Sequence, residues 1–133
     1  MAAEATYDYA IIRVVPRVER GEQVNVGVIL SCVDAEFLES RIELDLSRLH
    51  ILDPTLDLDA VRTGLALFPV VCAGGADAGP IGELPPRGRF RWLVSPRSTV
   101  IQASPVHTGR SADPAATLQR LFECLVRPIT KDA

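Results

Sequence analysis

The stretch Val24-Asn25-Val26-Gly27-Val28-Ile29-Leu30-Ser31-Cys32-Val33 indicates a β-strand at the centre of the protein. Valine and isoleucine pack well on a pleated sheet, and runs of them are typical of buried strands. Unbroken alternation puts one set of apolar side chains on a single face (Val24, Val26, Val28, Leu30 and Cys32). The other face then carries Asn25, Gly27 and Ser31, and a glycine there allows a ligand, a partner or a helix to approach the backbone.

A strand is predicted on each side of this stretch. Residues 6–15, Thr-Tyr-Asp-Tyr-Ala-Ile-Ile-Arg-Val-Val, are aromatic and β-branched, and Pro16 ends them. Residues 36–44 alternate between apolar and charged side chains, which is typical of an antiparallel sheet with one face in water. Because the connections are short, the three strands are expected to form a meander.

The hydrophobic period changes to that of helices after residue 44. A short helical turn is expected over 45–52, and Asp57 is an N-cap for a helix to about Val71 that Pro69 should kink or end. Residues 73–86 predict a loop, 86–94 a short helix, 98–104 a fourth strand and 105–112 a loop. Asp113-Pro114 predicts the start of a final helix, because a capping carboxylate precedes a proline at the first helical position.

These elements predict an α+β fold with a three- to four-stranded, mainly antiparallel sheet and two main helices packed on one face. The length of 133 residues fits a single domain over 1–133, with an ordered core over about 6–126. Apolar residues make up 47% and charged residues 23%, which excludes a disordered chain. No apolar run reaches membrane length, and the first residues do not read as a secretory signal. A cytoplasmic location is therefore expected.

The cysteines and the charges indicate less about function than the strand and helix patterns indicate about the fold. Cys32, Cys72 and Cys124 have no metal-ligand spacing and are expected to be buried, reduced thiols. The net charge is −3, and this acidity argues against nucleic-acid binding. Acidic residues concentrate between 34 and 59, whereas the segment 84–112 holds five arginines and no acid. The two segments either face each other or form a solvated surface, or else the arginine-rich segment binds an anion.

Standard catalytic, cofactor and metal motifs are absent from the sequence, including the P-loop, H-E-x-x-H and G-x-S-x-G. We therefore predict no catalytic residues, no cofactor and no metal site. Two polar clusters remain as candidate anion- or partner-binding groups. The first has Arg13, Arg17, Arg20, Glu22 and Asn25 around the first connection, and it is alternatively a solvated hairpin.

The second cluster lies in the arginine-rich segment and supplies guanidinium, hydroxyl and imidazole groups. Its members are Arg97, Ser98, Thr99, Ser104, His107, Thr108 and Arg110. Such groups suit an anion or a polar peptide, although they are equally typical of a surface loop. A serine–histidine–aspartate triad is not favoured, because Asp113 serves better as a helix cap and nothing indicates an oxyanion hole.

Two runs of the sequence resemble a known family. Tyr7-Asp8-Tyr9-Ala10-Ile11-Ile12-Arg13-Val14-Val15-Pro16 and Arg20-Gly21-Glu22-Gln23-Val24-Asn25-Val26-Gly27-Val28-Ile29-Leu30 are similar to the opening of the bacterial domain-of-unknown-function family DUF 3037. Phe90-Arg91-Trp92-Leu93, Pro96-Arg97-Ser98-Thr99 and Asp113-Pro114 resemble its second half. The family has no established activity, cofactor or catalytic residues, so the resemblance assigns none to this chain. It implies a partner, because such proteins are often encoded beside a HipA-like kinase-related protein.

The first expectation for function is thus a non-catalytic interaction or accessory module, a partner or regulator of a HipA-like kinase-related protein. The alternative is a small-molecule anion-binding protein or enzyme acting on a phosphorylated or carboxylated substrate. Arg13, Arg97 and His107 would then hold the anion, with Glu22 as a general base, and the two clusters would have to meet in one cleft. Nucleic-acid binding would require Trp92 and the arginines to form one patch. A homo-oligomeric role stays open.

Overall fold

The computed structural model describes residues 3–97 and 99–130 of the chain. Its strands are β1 (Ala5–Val14), β2 (Val24–Cys32), β3 (Phe37–Ile42), β4 (Ile101–Ala103) and β5 (His107–Ser111). Its α-helices are α1 (Leu46–Leu52), α2 (Leu58–Ala73), α3 (Pro86–Val94) and α4 (Pro114–Leu125). Short 3-10 segments cover Val18–Arg20, Val33–Ala35 and Ala76–Glu83.

Strand β1 is central to the sheet. One edge of β1 pairs with β2, which pairs in turn with β3, and every pairing is antiparallel. The other edge of β1 pairs with two strands: β5 lies along its first half and β4 along its second half. Between β4 and β5, the hydroxyl of Ser104 accepts a hydrogen bond of 2.8 Å from the backbone N–H of Ile11. The described residues thus form an open sheet of five strands.

A β-bulge in β2 changes which side chains share a face. Ile12 pairs with Gly27, but the next residue of β1, Arg13, pairs with Asn25. Val26 is therefore the extra residue, and the alternation is shifted by one position beyond it. The expected single apolar face of β2 is wrong for this reason. Val24 and Val26 lie on one side of the sheet, and Val28, Leu30 and Cys32 lie on the other.

Both faces of the sheet are consequently apolar, and each is covered by helices. On one face, α1, α2 and α3 pack on alternate residues of β1 such as Ala10 and Ile12. On the other face, Leu118, Leu121 and Phe122 of α4 pack on β2 and the start of β1. Side chains at 0–9% exposure make up both cores, so each helix layer buries apolar surface that the sheet would otherwise expose to water.

The helix boundaries follow local signals. The side chains of Asp45, Asp57 and Asp113 accept hydrogen bonds from the first turns of α1, α2 and α4. Pro69 does not end α2, which continues to Ala73 before Gly74 adopts a positive φ of 72°. The predicted loop at 73–86 contains the 3-10 segment Ala76–Glu83.

The α+β class and the mainly antiparallel sheet are confirmed, with two corrections of detail. The two main helices do not share one face, because the bulge gives β2 apolar side chains on both sides and α4 covers the second. The predicted loop at 105–112 contains the edge strand β5. That strand has no apolar alternation because most of its side chains face solvent, and it forms through backbone pairing with β1.

Candidate functional site

The first polar cluster has structural partners within the fold. Arg13 donates from Nε to Oδ1 of Asn25 over 3.4 Å, and Nδ2 of Asn25 donates to the carbonyl of Leu125 over 3.1 Å. Arg48 donates to the next carbonyl, that of Val126. The last carbonyls of a helix lack intrahelical donors. Asn25 and Arg48 supply donors there, so this part of the cluster anchors the C-terminal end of α4 to the sheet.

The rest of the first cluster lies in the connection between β1 and β2. Nε of Arg17 lies 3.3 Å from Oδ2 of Asp53, whose side chain is 9% exposed. Nε of Arg20 lies 2.5 Å from Oε1 of Glu22. Glu22 is thus held in an ion pair at the surface. This contact does not prepare it to act as the general base that the alternative function requires.

The second cluster divides between two places. Arg97 donates to the carbonyls of Trp92 and Leu93 at 2.8 and 3.0 Å, and its guanidinium lies 4.9 Å from the Trp92 ring centroid. It therefore caps the end of α3. His107 is exposed on β5, with its ring 5.2 Å from that of Tyr9. Ser98 lies outside the described residues.

The described members of the two clusters do not meet in one cleft. Arg13 and His107 lie on the side of the sheet that α4 covers, because each contacts residues of that face, Asn25 and Tyr9. Arg97 caps α3, which packs on the opposite side. The anion site that would combine Arg13, Arg97 and His107 therefore does not form in this structure.

An apolar groove lies beside β4, on the side of the sheet that α2 covers. Two adjoining depressions of about 320 and 200 Å³ share Thr99 and Ile101, and together they form this α2–β4 groove. Apolar side chains line most of it (Leu56, Ala60, Val61, Leu67, Trp92 and Ile101). Leu67 and Trp92 are 50% and 36% exposed. These exposed apolar side chains make the groove a candidate surface for binding an amphipathic segment.

A glycine of α2 shapes the floor of this groove. A Cβ on Gly64 would overlap Cδ1 of Ile101, so the glycine lets β4 approach the helix closely. Glycine inside a helix lowers stability by about 1 kcal/mol relative to alanine. The close packing of Ile101 explains why it is nevertheless found here. Sequence patterns missed the groove, because its two walls are about 40 residues apart in the chain.

Sequence analysis also missed an ion pair that joins α3 to the sheet. Asp8 of β1 is 15% exposed and contacts Arg87 of α3. Thr108 of β5 donates to the other carboxylate oxygen over 2.7 Å. Burial alone would raise the pKa of Asp8, but the hydrogen bond from Thr108 and the contact with Arg87 together outweigh it, so the pKa lies below its ordinary value.

This lowered pKa predicts a loss of stability in acid. A carboxylate with a depressed pKa in the folded state stabilises that state above its unfolded pKa, here 3.8. The contribution disappears as the pH falls through the lower folded value. We expect Asp8→Asn to be less stable than wild type near neutral pH, and the difference to shrink below pH 3.8. Urea unfolding across this range measures it.

The control for this prediction removes a different carboxylate. Asp34 is exposed and forms no ion pair within the described residues, so Asp34→Asn should follow the wild-type pH profile. If the Asp8→Asn curve runs parallel to the wild-type curve down to strong acid, the carboxylate of Asp8 does not contribute as described.

Arg89 is the least expected member of the arginine-rich segment. It is only 8% exposed, its Nε has no hydrogen-bond partner, and it forms no ion pair within the described residues. A Cβ on Gly74 would overlap its Nη1, so the guanidinium packs against the C-terminal turn of α2. The helix dipole is negative there and stabilises a cation.

The Cys72 thiol lies near Arg89. Burial raises the pKa of this thiol to about 11, which makes it unreactive.

Metal ligands, cysteines, basic patches and membrane helices add no further candidate site within the described part of the chain. His, Cys, Asp and Glu side chains do not gather there in groups of three or more that could hold a metal ion. Cys32 and Cys72 are buried as expected, but Cys124 is exposed. The arginines of 84–112 do not form one patch with Trp92, since Arg87 contacts Asp8 and Arg110 lies near Glu4. None of the described helices is by itself long and apolar enough to cross a bilayer.

The fold and site together define a small α+β protein with an open antiparallel sheet, helices on both faces and an exposed apolar groove. The family described as "protein of unknown function (DUF3037)" matches residues 9–126. The chain therefore belongs to this family, and the resemblance read from the sequence is confirmed. No curated protein and no solved structure matches the chain at a significant level.

Proposed function

We propose that this protein is a bacterial, cytoplasmic interaction module without a catalytic role, and that its partner is a HipA-like kinase-related protein. The α2–β4 groove carries this proposal. Exposed apolar side chains line the groove, and an apolar groove favours the binding of an amphipathic protein segment. The family resemblance supplies the choice of partner.

The groove also restricts the chemistry of the bound segment. Its lining is mainly apolar, while Asp57 lies at one end and Arg97 at the other. Arg97 is already held by the end of α3, so its position is fixed before binding. A segment with apolar side chains in the middle and a carboxylate near Trp92 fits this arrangement. Apolar anchors that enter such a groove supply most of the affinity of an interface.

Co-purification with the HipA-like protein tests the proposal. When the two proteins are co-expressed, we expect the tagged protein to recover its partner in stoichiometric amount. Leu67→Arg puts a charge in the groove and should abolish recovery. Ile51→Arg is the matched control, because Ile51 is 80% exposed on α1, outside the groove, and this variant should bind as wild type does.

Two outcomes would count against the proposal. If the purified pair remains separate in size-exclusion chromatography at tens of micromolar, the assigned partner is wrong. If the pair forms but Leu67→Arg binds as tightly as wild type, the groove is not the binding site. Circular dichroism of both variants checks that each remains folded.

A further inference from the structure

The two edges of the sheet differ in how well they are protected against pairing with another strand. The outer edge formed by β4 and β5 is interrupted at residues 104–106, which include Pro105, and β5 contains Gly109. Interruptions, proline and glycine are common ways of blocking an edge. Strand β3 at the opposite edge has six residues with no glycine or proline, and its register with β2 is unbroken.

The unpaired backbone groups of β3 can be assigned from the ladder. The N–H of Glu43 donates to the carbonyl of Val26 over 2.8 Å, and the register continues without a shift to Cys32. In an antiparallel ladder, alternate residues direct both backbone groups to the same neighbour. Phe37, Glu39 and Arg41 therefore bond to β2. Leu38, Ser40 and Ile42 direct their N–H and C=O groups to the open edge.

The charges on β3 are self-complementary in one register. An axis of two-fold symmetry at Ser40 puts Ser40 opposite its copy and Leu38 opposite Ile42 of a second chain. All three residues have outward-facing backbone groups, so the ladder can form. The same register puts Glu39 opposite Arg41 of the second chain, twice. Both side chains are exposed, and neither has an ion-pair partner within the described residues.

Other registers either leave backbone groups unpaired or bring like charges together. An axis at Glu39 or at Arg41 also pairs outward-facing backbone groups, but it puts Glu39 opposite Glu39 or Arg41 opposite Arg41, and like charges directly opposite destabilise a sheet. An axis at Leu38 or Ile42 would leave half of the strand unpaired. Charged residues usually protect an edge, but alternating signs favour the one register in which opposite charges meet. Only the axis at Ser40 pairs both the backbone and the charges over the whole strand.

An apolar surface continues beyond the strand. Ile42 and Leu44 form a groove of about 300 Å³ with Leu65, Ala66 and Pro69 of α2. Leu38 of the second chain would lie opposite Ile42 at the border of this groove. The second chain would therefore cover apolar surface in addition to pairing its backbone.

We propose that β3 is a self-association edge, through which two copies of this chain pair about a two-fold axis at Ser40 and join their sheets. Such an interface is isologous and closes at two copies, so it does not lead to filaments. It lies on the opposite edge of the sheet from the α2–β4 groove. A dimer of this kind presents two such grooves, and it does not depend on the proposed partner.

Sedimentation velocity over a range of concentrations tests this proposal. We expect wild type to be a dimer at micromolar concentration. Arg41→Glu should weaken the dimer about tenfold or more, because two attractive pairs become repulsive. The double variant Glu39→Arg/Arg41→Glu exchanges the charges and should restore the dimer. Arg110→Glu on β5 changes the net charge equally and should leave the dimer unaffected.

Each result of this experiment decides the proposal. A wild-type protein that stays monomeric up to its solubility limit would overturn it. A double variant that associates as poorly as Arg41→Glu would overturn the register at Ser40, and equal weakening by Arg110→Glu would show a general charge effect. Leu67→Arg should leave the dimer intact, which separates this test from that of the groove.

Discussion

Phe90→Ala should lower the free energy of unfolding by about 3–5 kcal/mol. Phe90 is 1% exposed and lies in the core between α3, α2 and the sheet. Removing a buried aromatic side chain loses its transfer free energy and leaves a cavity that the surrounding side chains only partly fill. Equilibrium unfolding in urea, followed by circular dichroism, measures the loss.

The neighbouring residue supplies the control for Phe90. Arg91 is exposed on the same helix, so Arg91→Ala should change the free energy of unfolding by no more than about 0.5 kcal/mol. If Phe90→Ala does not fold, Phe90→Leu tests the same packing at a smaller cost. Equal effects from Phe90→Ala and Arg91→Ala would mean that α3 is a surface helix and does not contribute to the core.

Gly27→Ala should lower the free energy of unfolding by about 2–3 kcal/mol, a large effect for one added methyl group. A Cβ at this position would lie 2.7 Å from the carbonyl oxygen of Arg41 and 2.9 Å from Cγ1 of Ile42. The first contact is with the backbone of β3, which is fixed by its ladder with β2 and cannot move aside cheaply. Urea unfolding of the purified variant measures this loss.

Gly88→Ala is the matched control for Gly27→Ala. Gly88 lies in α3, and the nearest atom to an added Cβ is Cβ of Leu84 at 3.3 Å. Alanine favours a helix by about 1 kcal/mol over glycine, so this variant should be as stable as wild type or more stable. If the two alanine variants have the same stability, the close approach of β3 to Gly27 is not present in solution.

The sequence indicated only part of the structural role of Gly27. It indicated that something approaches the backbone there and left open whether this is a ligand, a partner or a helix. The structure assigns the space to β3 of the same chain. The pattern of residue types indicates that a glycine is needed at this position. It does not indicate which neighbour comes close, because that depends on pairing with another segment of the chain.

The candidate site residues likewise have partners within the fold that the sequence did not indicate. Asn25, Arg13 and Arg97 were singled out because polar groups on strands and in loops can bind a ligand. In the structure, Asn25 and Arg97 satisfy helix carbonyls, and Arg13 bonds to Asn25. Asn25 and Leu125 are 100 residues apart, so no local pattern connects them. Arg89 appeared to belong to an exposed basic segment, but its side chain lies beneath the turn at Gly74.

The sequence by itself determined the α+β class, the first three strands and the helix starts at Asp57 and Asp113, because alternation and capping are local properties of the chain. Only the tertiary structure decided how these elements face one another. The extra residue Val26 is recognisable only from the pairing of β2 with β1, and it moves α4 to the other face of the sheet. Strand β5 likewise forms because β1 offers a free edge, since its own side chains carry no strand pattern.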